Sequence, residues 1–215
     1  MSTESKFLIG AGVVTVILVV VAALFLGKQQ TPKSQGQKTD ETQLLANAKD
    51  TQGDPKAPVR IVEFGDFQCP ACGAAYPITK DIVAKNSSKI YFVFRHFPLS
   101  IHPNAQIAAQ NAEAATLQGK FWQMHDILYE KQNEWTPMQD PQPKFDEYAK
   151  SIGIDINKFH DDIKNTIGEV NSDYTLGNKV GVDSTPTFFI NGQKYPGVLP
   201  QDQFQQIIDA ASTSK

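Results

Sequence analysis

The chain has 215 residues, 40 % of them hydrophobic and 10 % aromatic, enough for one core, which excludes a wholly disordered chain and also two large independent domains. Lys and Arg number 20 against 23 Asp and Glu, and no basic cluster is placed to follow a phosphate backbone, so nucleic acid is not an expected partner. The two cysteines, Cys69 and Cys72, are too few for a multi-disulfide scaffold or a four-thiolate zinc site, so their chemistry belongs to a pair.

Phe7 to Leu26 is an uncharged apolar run of 20 residues, which as a helix of about 1.5 Å rise per residue matches the hydrocarbon thickness of a bilayer. Residues 1–27 therefore read as a short tail and a single transmembrane anchor. A cleaved signal peptide is the alternative, but its apolar region is shorter and ends in small residues, whereas this run closes on Leu24-Phe25-Leu26. Lys6 precedes the run and Lys28, Lys33 and Lys38 follow it, a balance that by count favours a cytoplasmic C-terminal side. The short tail and the cysteine pair argue for the opposite placement, in an oxidising compartment. Residues 28–57, rich in Gln, Lys, Thr and Gly, read as a flexible linker in which a short helix around 42–49 is feasible.

Val59 to Phe64 has the composition of a buried strand, bounded by Pro58 and Gly65. A helix follows, with Pro70 suited to its first position and Lys85 near its end. Lys89 to Phe94 is a second strand, and strand–helix–strand makes the two strands parallel. From Pro103 to Val180 apolar residues recur at helical period, through Ala108, Ala112, Phe121, Met124, Phe145, Phe159 and Val170. Strand character returns at Thr187 to Ile190, followed by the hairpin signal Asn191-Gly192 and a second short strand. Pro200 to Ala211 is an amphipathic helix. The order is βαβ, an all-helical block at about 101–180, then ββα: an α/β domain spanning 58–215.

Cysteines at i and i+3 where a helix begins can close a disulfide with little backbone movement. Unpaired N–H groups and the helix dipole favour the thiolate of Cys69, and a stabilised thiolate makes the pair oxidising. Two other readings stand beside this one: half of a zinc site completed by His96 and His102, and a purely structural disulfide. His96, His102, His125 and His160 are otherwise read as structural or surface residues, and no metal or organic cofactor is expected.

FGDFQCPACG after a strand, Pro77 beyond the second cysteine, Thr185-Pro186 before a hairpin and the helical insertion together resemble the DsbA-like thiol-disulfide oxidoreductases of the thioredoxin superfamily. The stretches APVRIVEF, FVFRHFPL, HPNAQIAA and KFWQMHDILYEKQ resemble its membrane-anchored bacterial branch, and the resemblance covers residues 55–212. It implies a thioredoxin fold, with Cys69 as the exposed attacking cysteine and Cys72 as the buried resolving one. Pro186 takes the place of the cis-proline facing the disulfide, with Thr185 beside it as a substrate-binding position. Glu63 takes the place of the buried acid that assists proton transfer at the resolving cysteine; the alternative, since alternation alone does not fix its face, is an exposed strand acid. Pro70 and Ala71, between the cysteines, are the expected tuners of redox potential, and Ala71 stands where the best-known members carry histidine.

The expected function is oxidation of reduced or unfolded secreted proteins by an enzyme held in the cell membrane, its catalytic domain outside the cytoplasm, with a membrane redox partner that reoxidises the pair. A reductase or isomerase of the same fold is the near alternative. A chaperone-like binding module is the distant one.

Overall fold

A computed structural model describes residues 38–213, together with Gly36. The expected anchor, residues 7–26, lies outside these; among the described residues no helix is long and apolar enough to cross a membrane.

The centre of the fold is β2 (Val59–Gly65), which pairs in parallel with β3 (Ile90–His96) and antiparallel with β4 (Thr187–Ile190). Strands β1 (Thr51–Gly53) and β5 (Gln193–Pro196) complete a five-stranded sheet in the order β1-β3-β2-β4-β5. Because β2 is flanked on both edges and covered on both faces, it is built from a nearly continuous run of Val, Ile and Phe. Asn191 and Gly192 turn the β4–β5 hairpin with φ of 45° and 80°, the left-handed pair that a two-residue turn between twisted strands requires.

Helix α1 (Glu41–Leu45) precedes the sheet, and α2 (Pro70–Lys85) is the crossover between β2 and β3. Strand periodicity sends Val59 and Ile61 to the face covered by α2 and the C-terminal helix, where they pack with Ile82, Phe188, Phe204 and Ile208. Val62 and Phe64 go to the opposite face, into a cluster with Leu44, Val93 and Phe189. Between β3 and β4 the chain forms α3 (Ala105–Thr116), α4 (Phe121–Glu130), α5 (Gln132–Trp135), α6 (Gln142–Ser151), α7 (Ile156–Asn165) and α8 (Ile167–Lys179), with α9 (Gln201–Thr213) closing the domain. Trp135, Phe145 and Phe159, all fully buried, fill the core of this insertion and join it to Phe67 and Cys72.

Two differences from the sequence reading have plain causes. The linker expected over 28–57 belongs to the fold from residue 38 onward. Asp40 caps α1 by accepting from the Thr42 N–H at 2.9 Å, Leu44 is buried, and β1 adds an antiparallel edge to β3. A polar segment is ordered when its backbone is paired by a neighbour, which composition does not record. Strand β3 also runs two residues past the expected Phe94, because Arg95 and His96 pair in register with Phe64 and Gly65 and the Arg95 side chain finds the buried acid Asp173.

Candidate active site

Where β2 ends at Gly65, four residues lead into α2, and Cys69 is the helix N-cap with Pro70 in the first turn. Proline costs nothing there, since the first N–H groups of a helix have no intrahelical acceptor. Cys72 sits one turn into the helix and is fully buried, whereas Cys69 keeps 7 % of its surface. The attacking cysteine is therefore far less open than the resemblance implies. Its Sγ lies against the Thr185 carbonyl, the acceptor at 3.4 Å, on the loop whose Thr185–Pro186 peptide is cis.

The two thiols are driven apart in acidity. The Cys69 thiol is lowered to about 5, chiefly because the Cys72 thiol donates to it, helped by the N–H groups of Ala71 and Cys72 and opposed by burial. Burial pushes the Cys72 thiol well above its ordinary value, and its neighbour Cys69 adds to the effect. One polar contact reaches the Cys72 sulfur from the preceding loop, the Asp66 N–H at 3.5 Å. Glu63 lies on the face of β2 that α2 covers; it is 3 % exposed, and desolvation alone raises it to about 8. The reading of Glu63 as an exposed strand acid is thereby excluded.

These elements form a strand, a Cys-Pro-Ala-Cys turn at a helix start, a buried acid beneath the second sulfur and a cis-proline loop over the first. A thioredoxin family model matches residues 46–210. The chain belongs to the thioredoxin family. A thioredoxin-like oxidoreductase from Silicibacter pomeroyi has the same fold at a TM-score of 0.69 and 25 % identity, over 82 % of this chain and 100 % of that one. A cysteine-to-alanine variant of alpha-DsbA1 from Wolbachia pipientis matches at 0.69 and 25 %, over 80 % and 94 %. This chain's fold is that of the DsbA-like thiol-disulfide oxidoreductases. In sequence, 149 residues are 38 % identical to part of the Na(+)/H(+) antiporter NhaA 3 of Salinispora tropica, covering 68 % of this chain and 22 % of that protein. The chain thus spans about a fifth of the length of the curated relatives it matches.

This thioredoxin-family site is held from outside by residues that sequence reasoning missed. Asp66, fully buried, accepts from the Gln68 N–H at 2.8 Å and the Leu99 N–H at 2.9 Å, and contacts His102 Nδ1 at 2.7 Å. From the insertion, Gln132 Nε2 donates to the carbonyls of Phe67 (2.7 Å) and Cys69 (2.9 Å). A side chain at Gly73 would meet Gln132 Oε1 at 2.4 Å, so the glycine after Cys72 is what lets the clamp approach the helix. Gln68 reaches back, donating to the Thr136 carbonyl and accepting from the Asn104 N–H at 2.6 Å. No sequence signal marked these groups, because Asp66, Gln68 and Gln132 meet their partners only through packing.

The histidines take other partners. His102 goes to Asp66, His125 contacts Asp126 at 3.0 Å, and His160 contacts Asp146 at 2.9 Å. Among the described residues neither cysteine belongs to a group of three potential metal ligands, so the zinc reading of the cysteine pair has no geometric support.

Proposed function

We propose that the protein is an oxidase that introduces disulfides into reduced, unfolded proteins outside the cytoplasm, tethered by residues 7–26. The observation that carries this reading is the Cys69 thiol held at about 5. A pair whose reduced form is stabilised as a thiolate gives up its disulfide readily and so withdraws electrons from other thiols.

The steps follow from the site. A substrate thiolate attacks Sγ of Cys69 in the Cys69–Cys72 disulfide; the new S–S bond joins substrate to Cys69, and Cys72 leaves as a thiolate. Buried and without a counter-charge, that thiolate takes up a proton, for which Glu63, protonated at neutral pH, is the adjacent source. A second substrate thiolate then attacks the substrate sulfur of the mixed disulfide, and Cys69 departs as a stable thiolate. The substrate loses two electrons and the enzyme gains them as a dithiol. A separate acceptor, which we assign to a membrane redox partner, restores the disulfide. Thr185, whose carbonyl faces Cys69, and Pro186 form the wall against which an extended substrate segment lies. Pro70 and Ala71 set the potential by shaping the turn between the sulfurs.

Equilibration of the full chain with glutathione redox buffers tests the direction. An oxidase gives a potential well above the roughly −270 mV of thioredoxin-type reductases. A value at or below that figure assigns the protein to reduction instead.

A further inference from the structure

A second buried polar group gathers where β3 ends, on the face of the sheet that also carries Glu63, since His96 lies opposite Gly65 in register. Asp50, just before β1, His96, the last residue of β3, and Glu113 on α3 bring one potential ligand atom each to within 4.8 Å of one another. All three are buried, His96 at 1 % exposure, and neither of its ring nitrogens has a hydrogen-bond partner. Its Nε2 is 3.5 Å from Glu113 Oε1, aimed into the group but short of a hydrogen bond. An imidazole buried with both nitrogens unused is costly unless something occupies one of them.

The surroundings specify the charge of that occupant. A pocket of about 400 Å³ reaches Asp50 and Glu113 and is lined also by Lys49, Arg95, Glu169 and Asp173. Both cations there are already matched, Lys49 by Glu169 and Arg95 by Asp173, each at 2.7 Å. Among the described residues neither Asp50 nor Glu113 is ion-paired with a lysine or arginine, and as two carboxylates they are the charge complement of one divalent ion. Asp50 is also oriented from behind by the Thr116 hydroxyl, which donates to its Oδ1 at 2.9 Å, the kind of outer contact that fixes a ligating carboxylate.

We propose that Asp50, His96 and Glu113 bind a first-row divalent cation of the zinc class, with water from the pocket completing the coordination. A nitrogen donor beside two carboxylates selects such an ion over calcium or magnesium, which take oxygen ligands. Tetrahedral donors on one ion at about 2.0–2.2 Å stand about 3.3–3.6 Å apart, a separation that His96 Nε2 and Glu113 Oε1 already have at 3.5 Å, so closing the group takes side-chain movements of about 1 Å. Such an ion would cross-link the segment before β1, the end of β3 and the first helix of the insertion. It would act as a structural clasp, independent of the redox pair.

The test uses the full chain in detergent with Cys69→Ala and Cys72→Ala, so that no thiolate competes for metal and the result does not depend on the oxidase reading. After dialysis against a chelator, the protein is titrated with ZnCl2 and, separately, with CoCl2 and CaCl2. The expected result is one zinc per chain, visible d–d absorption bands on cobalt binding and a raised melting temperature. His96→Gln, Asp50→Asn and Glu113→Gln should each weaken zinc binding at least about tenfold. Far-UV circular dichroism identifies variants that retain their fold, and a defect in any one of the folded variants suffices. Absence of saturable zinc binding overturns the proposal, as does binding that all folded variants retain, or a site that takes calcium in preference to zinc. A group that merely shares protons would give the first of these results.

Discussion

Glu63 and Glu113 are buried to the same degree, 3 % and 4 % exposed, yet they are displaced in opposite directions. Glu63 lines a pocket with Tyr76, Thr79, His125 and Tyr129, and desolvation is the cause that raises it to about 8. Burial pushes Glu113 up as well, but the imidazole of His96 outweighs it and holds the carboxyl below its usual range. Depth therefore does not decide the state of a buried acid; its neighbours do. The first region keeps a proton ready beside a reacting sulfur. The second sets a carboxylate against an imidazole 3.5 Å away, and what it governs is stability.

The largest test of this division is loss of the reacting group. Cys69→Ser should abolish oxidation of a reduced, unfolded substrate while leaving the urea midpoint near that of the reduced wild type, and in the reduced wild type the iodoacetamide reactivity of Cys69 should titrate near pH 5. Rapid alkylation of Cys72 under the same conditions would reverse the roles of the two sulfurs.

Next in size is the second region. Arg95→Met leaves Asp173 buried without its partner at 2.7 Å, and breaking such a pair costs about 3–5 kcal/mol. Urea denaturation should show that loss, while the pH profile of Cys69 alkylation stays unchanged. A shifted alkylation profile would mean that the two regions are electrostatically coupled.

Glu63→Gln sharpens the contrast through pH. With its carboxyl at about 8 in the folded chain and near 4.5 ordinarily, the native state holds a proton that the unfolded chain has released between those values. Native stability must fall as pH rises through that window, by at most about 1.4 kcal/mol per pH unit from this group. The glutamine variant lacks this term, so its advantage over wild type should grow from pH 5 to pH 8 in urea melts. Its exchange should slow at the step that protonates Cys72, within the roughly 10²–10⁴-fold range of general acid catalysis. Parallel stability curves would place Glu63 outside the proton chemistry.

The smallest expected effect is at the clamp. Gln132→Ala removes two hydrogen bonds to the active-site loop, for a loss of about 1–2 kcal/mol. Because the bonds go to the carbonyls of Phe67 and Cys69, the loop should also exchange its amide hydrogens faster, which mass spectrometry after deuterium labelling would register.

Much of this was legible before any coordinates. Hydrophobic period gave the βαβ and ββα halves and the helical block between them, since periods of 2 and 3.6 are written directly in residue order. Cys69, Pro70 and Cys72 announced a redox turn because their geometry is local, spanning a single helical turn. What residue order could not supply was the meeting of distant side chains. Whether Glu63 faced α2 or solvent depended on which side of the sheet the crossover helix came to lie. The ordering of residues 38–57 depended on a free edge of β3. Gln132, 63 positions beyond Cys69, reaches the active-site loop only because the insertion folds back on it. Asp50, His96 and Glu113 meet for the same reason. Local conformation follows from the sterics and hydrogen bonding of neighbours in the chain; the state of a buried charge follows from desolvation and from groups brought close by packing, and only the tertiary structure decides those.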